Sequence, residues 1–437
     1  MLYFLLCVGL LIAGYFIYGS FVEKVFGVKK NRQTPALTQP DGVDYVPMSK
    51  GKVYLIQLLN IAGVGPIFGP ILGALYGPAA MIWIVFGCIF AGAVHDYFSG
   101  MISVRHNGQS VPNLAGKYLG TGAKHFMNVF AIILLLLVGV VFISAPAGLL
   151  AKLTGLDVGL TLAIIFSSEH TLLPGVQVSD FMTNLNPNDM PLWPALFITI
   201  ACGAVSGFHA TQSPLMARCI ENEENGRFVF YGAMIGEGII ALIWCALALS
   251  FFGGVDALNI AMNGNPANVV YEISNGLLGA VGGFLAILGV IILPITSGDT
   301  AFRSARLILS EFFNISQKKL NKRLILALPL FAIGAILTQV DFGIIWRYFG
   351  VANQTTAALM LWTAAAYLMQ HQKNHWICTI PAMFMTVVVI AFIFSSATLG
   401  FGLPIGISTV SAGVITLLAT FFLLNRMLRA DKLITTS

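Results

Sequence analysis

Asn60-Ile-Ala-Gly-Val-Gly-Pro-Ile-Phe-Gly-Pro70 interrupts an apolar run that extends over 53–76. The run is long enough to cross a hydrocarbon core about 30 Å thick, which takes roughly 20 apolar residues. Its middle cannot remain a regular helix. Pro66 and Pro70 lack an amide hydrogen and clash with the preceding turn, while Gly63, Gly65 and Gly69 admit unwound backbone. A second stretch of the same kind, Gly203-Ala-Val-Ser-Gly-Phe-His-Ala-Thr-Gln-Ser-Pro214, interrupts the run 194–216. Unwound backbone at membrane depth survives only where it is buried in protein or lines a cavity. Glycine and proline also serve simple packing and kinking in membrane helices. Two clustered breaks in oppositely directed segments go further, because they match inverted-repeat transporters, whose exposed helix ends bind substrate and ions.

The rest of the chain supports a membrane setting. Of its 437 residues 57% are hydrophobic and 9% charged, against about 25% charged in a soluble domain. Apolar segments fall at 2–22, 53–76, 78–104, 126–150, 158–168, 194–216, 228–252, 277–297, 323–340, 343–369, 376–397 and 403–424. The ten-residue alternation of a membrane β-barrel is absent. A net charge of +5, scattered over the connections, leaves no footprint for nucleic acid. The six cysteines (Cys7, Cys88, Cys202, Cys219, Cys245, Cys378) stand alone in or beside apolar segments, so they read as small hydrophobes rather than disulfide or zinc partners. Residues 1–22 lack a basic lead and a small-residue cleavage site and read as an uncleaved span. No phosphate-binding loop and no nucleophile–base signature occurs, so neither ATP nor enzymatic chemistry is expected.

Basic residues set the topology. Connections 23–52, 105–125 and 298–323 carry Lys and Arg, and the tail adds Arg426, Arg429 and Lys432, whereas 173–193 and 253–276 carry none. The positive-inside rule makes the first group cytoplasmic and the second external. Segment 158–168 would then begin and end outside, and it is too short to cross; it reads as a re-entrant or interfacial stub. Eleven spans remain, with the N-terminus outside and the C-terminus in the cytoplasm of a multi-pass plasma-membrane protein.

Charges inside apolar spans cost a few kcal/mol each and so point to function. The candidates for ion coupling are His95 and Asp96, Glu237, and the group Thr296, Ser297, Asp299 and Thr300. The carboxylates would relay a proton or hold a cation, and the hydroxyls would supply oxygens to sodium. The alternative for Asp96 and Asp299 is a fixed clamp with Arg105, Arg303 or Arg306. The two breaks would form the substrate pocket from Asn60, Gly63, Gly65 and Pro66 on one side and Ser206, Gly207, Phe208, His209, Thr211 and Gln212 on the other. Helix ends there would present free amides to an anionic group. The patch Asn353-Gln354-Thr355-Thr356 either lines the path or bonds neighbouring helices, and Glu221, Glu223 and Glu224 read as a solvated loop.

Several long stretches resemble one family. Asp41-Gly-Val-Asp-Tyr-Val-Pro47, the Gly63–Pro70 break, Gly92-Ala-Val-His-Asp-Tyr-Phe-Ser-Gly-Met101, Ile200-Ala-Cys-Gly-Ala-Val-Ser-Gly-Phe-His-Ala210, Thr211-Gln-Ser-Pro-Leu-Met-Ala-Arg-Cys219 and Thr296-Ser-Gly-Asp-Thr-Ala-Phe-Arg-Ser-Ala-Arg306 closely resemble the carbon starvation protein A (CstA) family in its short form. The resemblance implies an uptake permease related to the amino acid–polyamine–cation group, all-α and polytopic, with a LeuT-like inverted repeat. Such proteins are associated with peptide uptake during carbon starvation, and some with pyruvate import by proton symport. The chain would be a single transmembrane domain over 1–437. Within it, 1–22 is an extra span, 53–216 the first repeat plus the first helix of the second, and 228–424 the remainder. Two departures stand out. Gln57-Leu58 replaces a His-His pair of long-form members, and two helices are missing between 126–150 and 194–216, which leaves the first repeat without its fourth and fifth helices. The expectation is coupled import of small carboxylates or short peptides with H+ or Na+ as coupling ion, no cofactor and the lipid bilayer as surroundings. A passive channel and a non-transporting sensor or scaffold are the alternatives.

Overall fold

The computed structural model describes residues 2–153, 178–317 and 319–435, and they form an all-helical bundle. The expected stub at 158–168 lies outside the described residues. In chain order the helices are α1 (Leu2–Phe26), α2 (Lys50–Ile61), α3 (Gly65–Ala74), α4 (Ala79–Arg105), α5 (Val111–Leu119), α6 (Thr121–Leu153), α7 (Leu192–Thr199), α8 (Gly207–Ala217) and α9 (Gly232–Phe251). There follow α10 (Val255–Met262), α11 (Pro266–Phe312), α12 (Leu320–Leu337), α13 (Phe342–Gln370), α14 (Trp376–Ser395) and α15 (Ile405–Thr435).

Helices dominate because lipid offers backbone groups no partners, so each segment must bond itself. Their ends follow local chemistry. Gly27, at φ +69°, closes α1 in the left-handed region, as glycine does without steric cost. Asn265 and Asp341 cap α11 and α13 by accepting from the amides of Ala267 and Ile344.

Among the described residues eight helices are long and apolar enough to cross a membrane, or nine if α2 and α3, bent by 48° at their break, count as one span. The other two of the eleven expected spans take a different form. The 194–216 segment is split into α7 and α8, of 8 and 11 residues. The 343–369 segment is α13, an unbroken 29-residue helix buried along most of its length. Its Asn353, Gln354, Thr355 and Thr356 dilute the apolar character that a lipid-facing helix needs.

Burial sorts the helices. α4 and α13 lie inside, while α12 and α15 expose Leu324, Ile325, Leu328, Val410, Leu417 and Phe421. Apolar faces of that extent suit hydrocarbon rather than water. α6 packs along α11, α3 against α9, and α8 against both α4 and α13. The two breaks, 61–65 and 200–206, are therefore buried, although α2 leaves Leu55 and Leu59 exposed.

One loop departs from expectation. Glu223, read as solvated, has a fully buried side chain. It accepts from Arg105 Nε and Nη2 at 3.0 Å each and from the Lys29 amide at 3.0 Å, with Arg32 3.5 Å away. Isolated β-bridges, Gln33 with Asn222 and Met48 with Ile220, hold the 27–49 connection on the same loop. The anomaly has a simple cause: the basic connection folds back onto the acidic one, so the charge leaves water together with its partners.

Candidate functional site

The two breaks meet. A Cβ on Gly65 would lie 2.6 Å from Cys202 Sγ, so this approach requires glycine. Gly63 faces the Phe142 ring, and the Phe142 and Phe208 rings stand edge to face at 5.9 Å. Ser297 Oγ donates to the Leu59 carbonyl at 3.0 Å, one of the acceptors that the first break leaves outside the helical ladder. Asn60 and Pro66 are buried in the same region.

The second break, 200–206, turns on Gly203 at φ +85°, a left-handed conformation that a side chain resists. Its freed backbone groups find partners on other helices, as burial demands. Glu237 Oε1 on α9 accepts from the Gly203 amide at 3.1 Å. Asn353 on α13 accepts from the Phe208 amide at 2.8 Å and from Ser206 Oγ at 3.3 Å, and it donates to the Ala201 carbonyl. Gln354 donates to the Phe197 carbonyl at 2.9 Å. Within the 353–356 patch, Asn353 and Gln354 thus bond neighbouring segments, whereas Thr355 and Thr356 bond carbonyls of their own helix.

Beside this break lies a cluster of fully buried charged and polar side chains. His209 Nδ1–H donates to Asp96 Oδ2 at 2.8 Å, and His95 Nδ1–H donates to Asp96 Oδ1 at 2.8 Å. His209 Nε2 is 3.1 Å from Glu237 Oε2, an ion pair when the imidazole is protonated, and among the described residues neither atom has a hydrogen-bond partner. Asp96 is therefore held by histidines rather than by Arg105. The neighbourhood has its own backbone irregularity, a π-helical turn at Cys88–Gly92 in α4, whose Ile89 carbonyl accepts from Tyr231 Oη at 3.0 Å. π-turns of this kind are frequent at functional sites.

A polar trail continues from the cluster. Ser213 Oγ bonds the His209 carbonyl at 3.0 Å, and Gln57 Nε2 reaches Ser213 Oγ at 3.5 Å. Thr211 Oγ1 bonds the Phe208 carbonyl at 2.6 Å, and Gln212 reaches Thr211 at 3.0 Å and Ser304 at 3.3 Å.

Of the sequence candidates, the structure brings together His95, Asp96, His209 and Glu237, and it gathers Gly63, Gly65, Ser206, Gly207, Phe208 and Ser297 around the breaks. Thr296, Asp299 and Thr300 are not part of this assembly. Thr296 and Thr300 bond carbonyls of their own helix, and exposed Asp299 lines a small cavity with Arg303 and Arg306. Cys202 and Asn353 were not singled out as site residues. Cys202 carries no signal beyond its place in the second break, whereas Asn353 is visible as part of the polar 353–356 patch in a long apolar segment. Two cavities, of about 750 and 720 Å³, lie elsewhere, one apolar beside Trp83 and Phe384, the other polar beside Arg306 and Arg323.

Fold and site together define a multi-pass helical membrane protein whose two broken helices close on buried charge. The chain belongs to the carbon starvation protein CstA family, whose sequence model matches residues 1–165, 152–274 and 249–391. It is 47% identical to an uncharacterized membrane protein of Haemophilus influenzae over 60% of this chain and 94% of that one. The peptide transporter CstA of Campylobacter jejuni is 27% identical over 86% of this chain and 77% of its own length. The pyruvate/proton symporter BtsT of Escherichia coli is 26% identical over 61% of this chain and 51% of its own. Among solved structures, a manganese transporter of Eremococcus coleocola covers 90% of this chain and 98% of its own at 13% identity, with a TM-score of 0.43.

Proposed function

We propose that the chain is a secondary-active importer of small carboxylates such as pyruvate, or of short peptides, serving uptake across the plasma membrane in carbon starvation. The observation that carries this reading is the meeting of the two helix breaks beside the buried Asp96, His209 and Glu237. A rigid membrane anchor has no use for unwound backbone and buried charge at one point, whereas an alternating-access carrier needs both. The substrate's anionic group is assigned to the helix starts at Gly65 and Gly207, with Asn60, Pro66, Ser206, Phe208, Thr211 and Gln212 around them. The coupling cation is assigned to the negative charge of Asp96 and Glu237, with His95 as support. The names of the CstA and BtsT relatives support both substrate classes and a proton as the driving ion.

The architecture that goes with this reading is a LeuT-like inverted repeat of eleven spans, N-terminus outside and C-terminus cytoplasmic. The test is uptake of labelled pyruvate and a labelled dipeptide into proteoliposomes, with proton and sodium gradients imposed separately. Accumulation above equilibrium under a proton gradient is expected. Flux that never concentrates solute would identify a channel, and folded protein without flux would identify a sensor or scaffold.

A further inference from the structure

The geometry points to a transition-metal site at the centre of the molecule, formed by Cys202, His209 and Glu237. Their donor atoms all lie within 4.8 Å of one another, and all three residues are buried. No sequence spacing announces such a site, because its ligands come from the second break itself, from the start of α8 and from α9.

Two buried atoms are open to an occupant. Among the described residues His209 Nε2 and Glu237 Oε2 have no hydrogen-bond partner although they lie 3.1 Å apart. An unsatisfied buried polar atom costs about 1–3 kcal/mol, and here two adjoin. With its Nδ1–H donated to Asp96, a neutral His209 turns a lone pair at Nε2 toward a carboxylate oxygen. That juxtaposition needs a positive charge between them, which either a proton on Nε2 or a bound cation supplies. Ligands about 2.0–2.3 Å from a tetrahedral zinc ion stand roughly 3.3–3.7 Å apart, so the observed spacing closes on one ion with small movements.

The outer shell is already built. Asp96 Oδ2 holds His209 Nδ1, and the Gly203 amide holds Glu237 Oε1, which leaves Nε2 and Oε2 as the free donors. Carboxylate–histidine pairing of this form fixes the tautomer of metal-binding imidazoles and raises their basicity. The donor set of sulfur, nitrogen and oxygen selects a borderline ion such as Zn²⁺ with one open position, and disfavours Mg²⁺ and Ca²⁺, which take oxygen shells. Deprotonated Cys202 and Glu237 together balance a divalent charge.

A metal here would fasten the broken α7–α8 segment to α9. If that segment moves during transport, a bound ion arrests it, so Zn²⁺ acts as an inhibitor; this consequence alone rests on the transporter reading. The binding test does not. Purified full-length protein, stripped with a chelator, is titrated with Co²⁺. One equivalent is expected to bind with intense tetrahedral d–d bands and a thiolate-to-cobalt charge-transfer band, both displaced by Zn²⁺. Cys202→Ser removes the charge-transfer band. Asp96→Asn, which alters a positioning residue and no ligand, keeps the band and weakens affinity about 10–100-fold. Failure of folded wild-type protein to bind Co²⁺, or a band that survives Cys202→Ser, overturns the site. Uptake with and without Zn²⁺, measured separately, then distinguishes a wrong transport reading (no flux in either condition) from a wrong inhibitory role (equal flux in both).

Discussion

Asn353 shows how one side chain can hold a helix break in place. It accepts from the Phe208 amide and Ser206 Oγ and donates to the Ala201 carbonyl, all from within the protein interior. Gln354 supplies a single bond, to Phe197, and Thr355 bonds only Val351 one turn back in its own helix. Three adjacent alanine variants should therefore rank by what they orphan. Asn353→Ala should lose the most stability, of the order of 1–3 kcal/mol, Gln354→Ala less, and Thr355→Ala close to none. Thermal unfolding of the three in one detergent decides it. Equal losses would mean that the break is held by packing rather than by Asn353. The residue scale also shows what sequence could reveal. Asp96, His209 and Glu237 were legible as charges in apolar runs, because lipid makes each of them costly. Their mutual contact was not, since it joins positions 113 and 28 residues apart through a fold that no local pattern encodes. Asp299, a candidate by the same rule, stands apart from them on an exposed part of α11 beside Arg303 and Arg306. Glu223 was misread as solvated, because a run of acids gives no hint that one member turns inward to meet Arg105.

At the scale of elements, the breaks were the most legible feature, since Pro and Gly act on the backbone directly whatever surrounds them. The length and apolarity of the other helices were equally plain. Less visible was the status of α13, whose polar residues serve the neighbouring break rather than a surface of its own. The contact between α8 and α13 depends on Gly207, where an added Cβ would stand 2.2 Å from the Asn353 carbonyl oxygen and 2.6 Å from the Ala357 nitrogen. Both are backbone atoms of a helix and cannot rotate away. Gly207→Ala must push the two helices apart, at a cost of about 1–3 kcal/mol or more. Gly289, within α11, has nothing among the described residues within 4 Å of such a Cβ, so Gly289→Ala serves as the control. The expected result is a sharply reduced folded fraction and melting temperature for Gly207→Ala, read by size-exclusion chromatography and thermal unfolding, with Gly289→Ala unchanged. Similar behaviour of the two would show that α8 and α13 have room to separate.

For the molecule as a whole, Arg105 is the point where separate parts are tied together. Besides its two bonds to Glu223, it donates to Tyr367 Oη at 2.9 Å and to the Gly27 carbonyl at 2.7 Å, and its guanidinium lies 3.9 Å from the Phe26 ring centre. It thereby joins the ends of α1, α4 and α13 to the 223 loop. The breaks lie on other segments, between α2 and α3 and between α7 and α8, but α8 packs against α4 and α13, so loosening this knot would free two of the helices that cover the second break. Arg105→Lys keeps the charge but loses the planar fork that serves several acceptors at once. If the knot is a gate, the variant shifts the population toward the state open at this end, and each 1.4 kcal/mol of weakening raises that population about tenfold. Buried Cys202 beside the break is a native reporter. Its alkylation by a small maleimide, located by mass spectrometry, should be faster in Arg105→Lys than in the wild type. Breaking the exposed Lys30–Glu224 pair, where Lys30 is 80% exposed, should change nothing, as solvated pairs contribute little. A variant that melts earlier yet alkylates Cys202 at the wild-type rate would show that Arg105 is a structural clamp, and that the route to the breaks opens elsewhere.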